Sequence, residues 1–257
     1  MSETLQDKTY IVTGASKGFG LAITRALLAQ GAMVGMLARD DDTLQEAVQE
    51  LDSDQVFGIA GDVASGEKMN QAFQQFRDHF GGLSGLINNA GVARPGKVEK
   101  LTSDDLMLQI NTNYVGTVLC CQAAIPLLRG AANPRIINIS SASAWHYDEM
   151  YHLSIYASTK AAVERFSRDL RLELQEEGIG VTCIRPGAAW THFSDGWNAG
   201  DLQAGVDAWH NAGPTMDSGM EPEHVADAVT YCLGYPPGVA VDLLEVRPNR
   251  RIPKLQL

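Results

Sequence analysis

Basic residues are outnumbered in this 257-residue chain, with 20 lysines and arginines against 31 aspartates and glutamates and a formal net charge of −11. A surface of that sign repels phosphate backbones and anionic membranes on average, so neither nucleic acid nor a membrane is expected as a partner. Long apolar runs are missing too. No segment approaches the ~20 apolar residues of a bilayer span, and Met1 to Lys8 lacks the charged-then-apolar order of a secretion signal. A cytoplasmic protein is expected. The four cysteines, at 120, 121, 183 and 232, form no CxxC pair and have no histidine at a zinc spacing. Reduced, mostly buried thiols and no metal site follow. Repeats, low-complexity tracts and linkers are also lacking, so residues 1–257 read as one domain.

What is present is alternation. Short β-rich runs take turns with longer amphipathic ones, the pattern of βαβ units and a parallel sheet. Thr9 to Val12 reads as a strand, followed by a helix through Phe19, Ile23 and Leu27 that stops at Gly31. Strands at Met33 to Leu37 and Gln55 to Ile59 flank a helix around Leu44, Val48 and Leu51. Met69, Phe73, Phe76 and Phe80 form one helical stripe, expected in the core, before Gly81-Gly82 and a short strand at Leu86-Ile87. Thr102 and Asp105 make a capping box for one long helix running towards Leu128. Arg135 to Ile139 is a fifth strand, Ile155 to Glu177 a helix closed by Gly178, and Val181 to Ile184 a sixth strand. Residues 188–220 break the rhythm, with Trp190, Phe193, Trp197 and Trp209 among glycines and aspartates, and are the candidate lid. A helix through Val225, Val229 and Leu233, a strand from Val241 to Val246 and a basic tail complete an α/β, three-layer, doubly wound sheet of about seven mostly parallel strands.

Thr13-Gly14-Ala15-Ser16-Lys17-Gly18-Phe19-Gly20 lies where the first strand meets the first helix. Glycines there let a backbone approach a pyrophosphate, and the helix N-terminus offers unpaired N–H donors. Such a cluster can also be a plain tight turn, and it lacks the GK[ST] close of a Walker loop. With Asn88-Asn89-Ala90-Gly91, Tyr156 to Lys160, and Pro186-Gly187, all in order along the chain, it resembles the short-chain dehydrogenase/reductases, whose turn is TGxxxGxG. The resemblance covers essentially the whole chain. It implies a Rossmann-like fold and an oxidoreductase moving hydride between a nicotinamide dinucleotide and a small carbonyl or alcohol.

The resemblance puts Ala38 where an NAD-preferring site carries an acid at the second strand's end, with Arg39 next and Lys17 in the glycine turn. Two cations there suit the 2′-phosphate of NADP(H) over NAD(H), although both can be surface charges beside Asp40, Asp41 and Asp42. The other cofactor contacts it implies are Gly14, Ser16, Gly18, Phe19, Gly20, Asp62, Val63, Asn89, Ala90, Gly91, Pro186, Gly187, Ala189 and Thr191. Asp62 can equally cap a turn.

Tyr156 and Lys160 stand four apart on a helix and so share a face. A neighbouring ammonium favours the phenolate and lowers a tyrosine pKa, which makes the phenol a usable proton relay. The resemblance gives Tyr156 that relay and both residues the nicotinamide ribose. A developing alkoxide needs a second donor; Ser141 matches, but stands fifteen residues before Tyr156, slightly more than the family's spacing, and Ser143 competes. Asn113 matches the family's catalytic asparagine, with Asn111 as its rival. Ser143, Trp145, Trp190, Phe193 and Trp197 are expected to line the substrate site, together with the loop through His146 and Tyr147. The aromatic content implies an apolar or aromatic substrate, and the family implies a homodimer or homotetramer. The alternatives are a 3-oxoacyl-carrier-protein reductase, disfavoured by an acidic chain facing an acidic carrier, and a non-catalytic dinucleotide sensor, for which Tyr156 and Lys160 would be superfluous.

Overall fold

A computed structural model describes residues 4–39, 41–146, 151–191, 193, 194 and 196–254. Strands β1 (Thr9–Thr13), β2 (Met33–Ala38), β3 (Val56–Ala60), β4 (Gly85–Asn88), β5 (Arg135–Ile139), β6 (Gly180–Pro186), β7 (Thr215–Asp217), β8 (Leu243–Val246) and β9 (Arg251–Pro253) are separated by helices. Seven of them form one sheet in the order β3-β2-β1-β4-β5-β6-β8, and all six pairings are parallel. The order reverses between β1 and β4. At the carboxyl ends of those strands the chain leaves in opposite directions, which opens the crevice where doubly wound proteins bind ligands.

Alternation along each strand feeds two cores. Tyr10, Val12, Val34 and Met36 face a layer made by helices α1 (Gly18–Ala29), α2 (Asp41–Leu51) and the late helix Pro222–Leu233. Ile11, Leu37 and Leu86 face the opposite layer, where α3 (Gly66–Phe80) brings Met69, Phe73 and Phe76. A Cβ on Gly35 would come within 2.4 Å of the Phe76 ring, so the glycine makes the room that the phenylalanine fills. The expected stripe at 73 and 76 is fully buried, and Phe80 packs at its edge. All four cysteines are buried and free. Burial pushes Cys121 and Cys183 up to about 12, which keeps these thiols protonated and inert.

Caps fall where expected at Thr102, whose Oγ1 accepts from the Asp105 N–H at 3.1 Å and donates to its carboxylate at 2.6 Å. The long helix expected from there is interrupted. It is α4 (Ser103–Ile110), a π turn at Asn111–Val115, then α5 (Gly116–Leu128). A single extra residue in the turn swings Asn113 inward, and periodicity alone cannot reveal that. The next helix, α6, covers Ser154–Leu174. The irregular stretch at 188–220 holds a helix, α7 (Ala199–Asn211), and strand β7. Its periodicity was masked because only Gly205 and Val206 of α7 are buried, and the rest is small or polar. The basic tail is β9, antiparallel to β7 with Asp217 opposite Arg251. Helix α8 (Pro222–Leu233) lies between β7 and β8. Among the described residues, no helix is long and apolar enough to cross a membrane, and no cluster of ligands could hold a metal ion.

Candidate functional site

At the sheet's carboxyl edge two clefts adjoin. The smaller, about 360 Å³, runs over the turn between β1 and α1. Gly14 (φ +63°) and Gly18 (φ +55°) take left-handed conformations there, and a Cβ on Gly14 would lie 2.9 Å from the Ala90 Cα. On Gly20 a Cβ would meet the Gly14 carbonyl oxygen at 2.1 Å, so this glycine lets helix and turn close on each other, though it does not line the cleft. The Asn89 segment braces the turn. Thr13 Oγ1 accepts from the N–H groups of Asn89 and Ala90, each at 3.0 Å, and the Asn89 amide donates to the carbonyls of Thr13 (2.9 Å) and Gly14 (3.1 Å). Helix α1 has no acid in its first turn and no side-chain cap. Among the described residues that line the cleft there is no carboxylate to meet its N-terminal dipole end.

Ser16, Lys17, Phe19, Ala38, Arg39, Val63, Ala90, Gly91 and Thr191 line the same cleft. Asp62 does not. Its carboxylate accepts the Ala64 N–H at 3.0 Å and its carbonyl the Ser65 N–H, so it caps a turn. Pro186, Gly187 and Ala189 line the larger cleft and not the smaller.

That larger cleft, about 720 Å³, meets the first along Phe19, Ser140, Tyr156, Thr191 and Phe193, which line both. Tyr156 and Lys160 project from α6 at this junction, with the lysine nitrogen 5.9 Å from the ring centroid. Lys160 is 4% exposed and donates to the Ile139 carbonyl at 2.8 Å. Burial pulls its pKa down to about 8. A Cβ on Gly91 would stand 3.3 Å from the lysine nitrogen and 3.5 Å from Asn113 Oδ1, so the absence of a side chain there leaves the two polar groups a common space. Asn113 itself is fully buried behind the clefts: it accepts from the Val92 N–H and donates to the Val92 carbonyl, both at 2.8 Å, and donates to Thr159 at 3.0 Å.

The three serines after β5 separate by partner. Ser140 turns inward, donating within reach of the Lys160 carbonyl (3.3 Å) and the Glu164 carboxylate (2.9 Å). Ser141 and Ser143 both line the larger cleft and are joined by a 2.9 Å hydroxyl hydrogen bond. Trp190 and Phe193 line that cleft, and Phe193 packs edge-on against Tyr156 at 5.0 Å. Trp145 and Trp197 do not line it. Trp145, 67% exposed, covers the Arg185 guanidinium at 5.7 Å, and Trp197 stands behind Phe193 at 5.3 Å. Tyr147, His192 and Asp40 lie outside the described residues.

Sequence reasoning missed the charged group beneath Ser140. Glu164 receives Arg185 bidentately at 2.8 and 2.6 Å, and Arg185 also donates to Glu245 (2.7 Å), which His146 contacts at 2.7 Å. Its members come from α6, β6, β8 and a loop, so no local motif announces them.

The family described as short chain dehydrogenase matches this chain over residues 8–201. An uncharacterized oxidoreductase of Staphylococcus aureus (strain USA300) is 33% identical over 244 residues, covering 95% of this chain and 98% of that protein. Among solved structures, a serine dehydrogenase complexed with NADP+ is 31% identical with a TM-score of 0.81, covering 93% of this chain and 94% of its own. L-Sorbose reductase from Gluconobacter frateurii, complexed with NADPH and L-sorbose, is 25% identical with a TM-score of 0.81, covering 96% and 97%. With the glycine turn, the braced Asn89 segment and the Tyr156–Lys160 pair on one edge of such a sheet, the chain belongs to the short-chain dehydrogenase family of oxidoreductases.

Proposed function

We propose that the protein interconverts a small ketone or aldehyde and its alcohol using NADP(H), with Tyr156, Lys160, Ser141 and Asn113 as its working set. The observation that carries this reading is the position of Tyr156, lining both clefts at their junction. The smaller cleft fits a dinucleotide. Its glycines remove the side chains that a pyrophosphate would meet, and a helix N-terminus with no acid in its first turn faces it. Ala38 offers no acid at the end of β2, while Lys17 and Arg39 line the cleft beside it and suit a 2′-phosphate. The solved relatives that carry NADP+ and NADPH support the same choice.

When bound, the nicotinamide supplies the hydride, or accepts it in the reverse direction. Tyr156 gives its hydroxyl proton to the substrate oxygen as the carbonyl carbon is reduced, and takes it back in oxidation. Lys160, held by the Ile139 carbonyl, places an ammonium beside the phenol and favours its ionised form. Ser141, supported by the hydroxyl of Ser143, donates to the same substrate oxygen. Asn113 fixes Val92 and α6 relative to each other. The aromatic wall of Trp190 and Phe193 takes an apolar or aromatic substrate portion, and the 188–220 segment serves as a lid. The exposed Leu172 of α6 belongs to the surface through which a homodimer or homotetramer forms.

The test follows absorbance of the reduced nicotinamide with NADPH and NADH in parallel against aliphatic and aromatic ketones. Turnover with an NADPH preference of at least ~10-fold is expected from two charge-assisted contacts. An NADH preference overturns the role given to Lys17 and Arg39, and no oxidation of either coenzyme with any ketone or aldehyde overturns the activity.

A further inference from the structure

The larger cleft carries charge that the reading above does not use. Arg247, Arg251 and Lys254 all line it, and among its described lining residues Asp217 is the one carboxylate. Across the chain acids outnumber bases 31 to 20, so this wall inverts the balance of the molecule. Concave walls focus such a field. None of the three cations lines the dinucleotide cleft, whose basic residues are Lys17, Arg39 and Lys160.

Their positions follow from the chain's last two strands. Val246 of β8 pairs with Pro186 at the end of β6, which sets Arg247 against Gly187; a Cβ on that glycine would lie 3.0 Å from Arg247 Cγ. Asp217 accepts from Arg247 at 3.0 Å, and the Arg251 Nε lies 3.9 Å from its other oxygen. Asp217 thus meets two guanidiniums, and Arg247 Nη1 also lies 3.9 Å from the Glu245 carboxylate. Lys254 donates to the Trp209 carbonyl and sits 4.6 Å above that indole, so these two partners are uncharged. Fastening β7 and β9 to the sheet accounts for one arginine on Asp217. Arg251 and Lys254 add two further basic side chains to the lining of the same cleft.

We propose that this cleft takes a substrate bearing a carboxylate: an oxo acid or hydroxy acid whose carbonyl or alcohol reaches Tyr156, whose apolar body lies along Trp190 and Phe193, and whose acid meets Arg247, Arg251 and Lys254. The inference rests on the cleft being the substrate site of the reaction proposed above. Guanidinium and carboxylate match in planar geometry, and a neutral isostere forgoes the charge-assisted contact that an acid makes with such a wall.

The test measures binding and turnover separately. Calorimetric titration of the full-length, NADP+-saturated protein compares 4-phenylbutyrate with 4-phenylbutyramide, which share a shape and differ in charge. The acid is expected to bind at least ~10-fold more tightly, the span of a charge-assisted hydrogen bond. Arg251→Met and Lys254→Met should each move that ratio towards one, and ~0.5 M salt should weaken the acid selectively. Equal binding of acid and amide overturns the inference, as do variants that weaken both ligands alike. Oxidation of NADPH by an aromatic oxo acid and by its methyl ester forms the second arm. Selective binding of the acid with neither compound reduced means that the redox reading fails while the anion site stands; reduction of both with no discrimination in binding means the reverse.

Discussion

Lys160 shows at the scale of one side chain what burying a charge at this site costs. Burial holds its pKa near 8, below the 10.5 of an ordinary lysine. Between those two values the unfolded chain binds more protons than the folded one, so this group makes stability rise as pH climbs through the window. Below pH 8 the full cost of burying the ammonium applies, on the order of 3 kcal/mol at 1.36 kcal/mol per pH unit. Lys160→Met is therefore expected to stabilise the protein at pH 7 by about 1–3 kcal/mol in urea denaturation, the gain shrinking towards pH 10.5, while carbonyl reduction is lost. A variant less stable than the parent across that range would mean that the hydrogen bond to Ile139 outweighs the desolvation. Tyr156 and Lys160 were legible in the sequence because helical spacing puts residues four apart on one face. Asp62, Trp145 and Trp197 were not, because whether a turn acid or an indole reaches a cleft depends on neighbours brought in from other elements.

Among the elements, the π turn between α4 and α5 decides most about the site. It directs Asn113 to both polar backbone groups of Val92 and to Thr159, tying the segment after β4 to α6. Asn113→Ala leaves those buried partners unsatisfied, for an expected loss of about 2–3 kcal/mol in urea denaturation, with faster amide exchange at Val92 and lower affinity for NADPH. A loss under ~0.5 kcal/mol, the size of an ordinary surface change, would show that the turn is not held by this side chain. Sequence reasoning reached Asn113 through resemblance, with Asn111 beside it as a rival, because an inserted residue leaves a helix's apolar pattern almost unchanged. The regular elements were easier. Strands β1 to β6 and helices α1 to α3 have buried faces wide enough to impress a period on the sequence, whereas α7 buries a glycine and a valine and so reads as loop.

Over the whole molecule, the reversal of strand order between β1 and β4 and the sheet's six parallel pairings place every motif at one edge. The βαβ rhythm predicted that class of sheet but not which strands neighbour each other. Pairings such as β7 with β9 depend on contacts between distant segments, as does the Glu164–Arg185–Glu245 group. Charge follows the same division of scales: an acidic molecule lines one cleft with Lys17, Arg39 and Lys160 and the other with Arg247, Arg251 and Lys254, and Tyr156 lines both. The most direct test of that central position is Tyr156→Phe, which removes one oxygen and keeps the ring against Phe193. Initial rates of NADPH oxidation with a ketone, set beside NADPH affinity for the same samples, are expected to fall by roughly 10²–10⁴-fold, the worth of a positioned proton donor, with affinity held within a few-fold. Turnover by the phenylalanine variant at close to the parent rate would contradict the account.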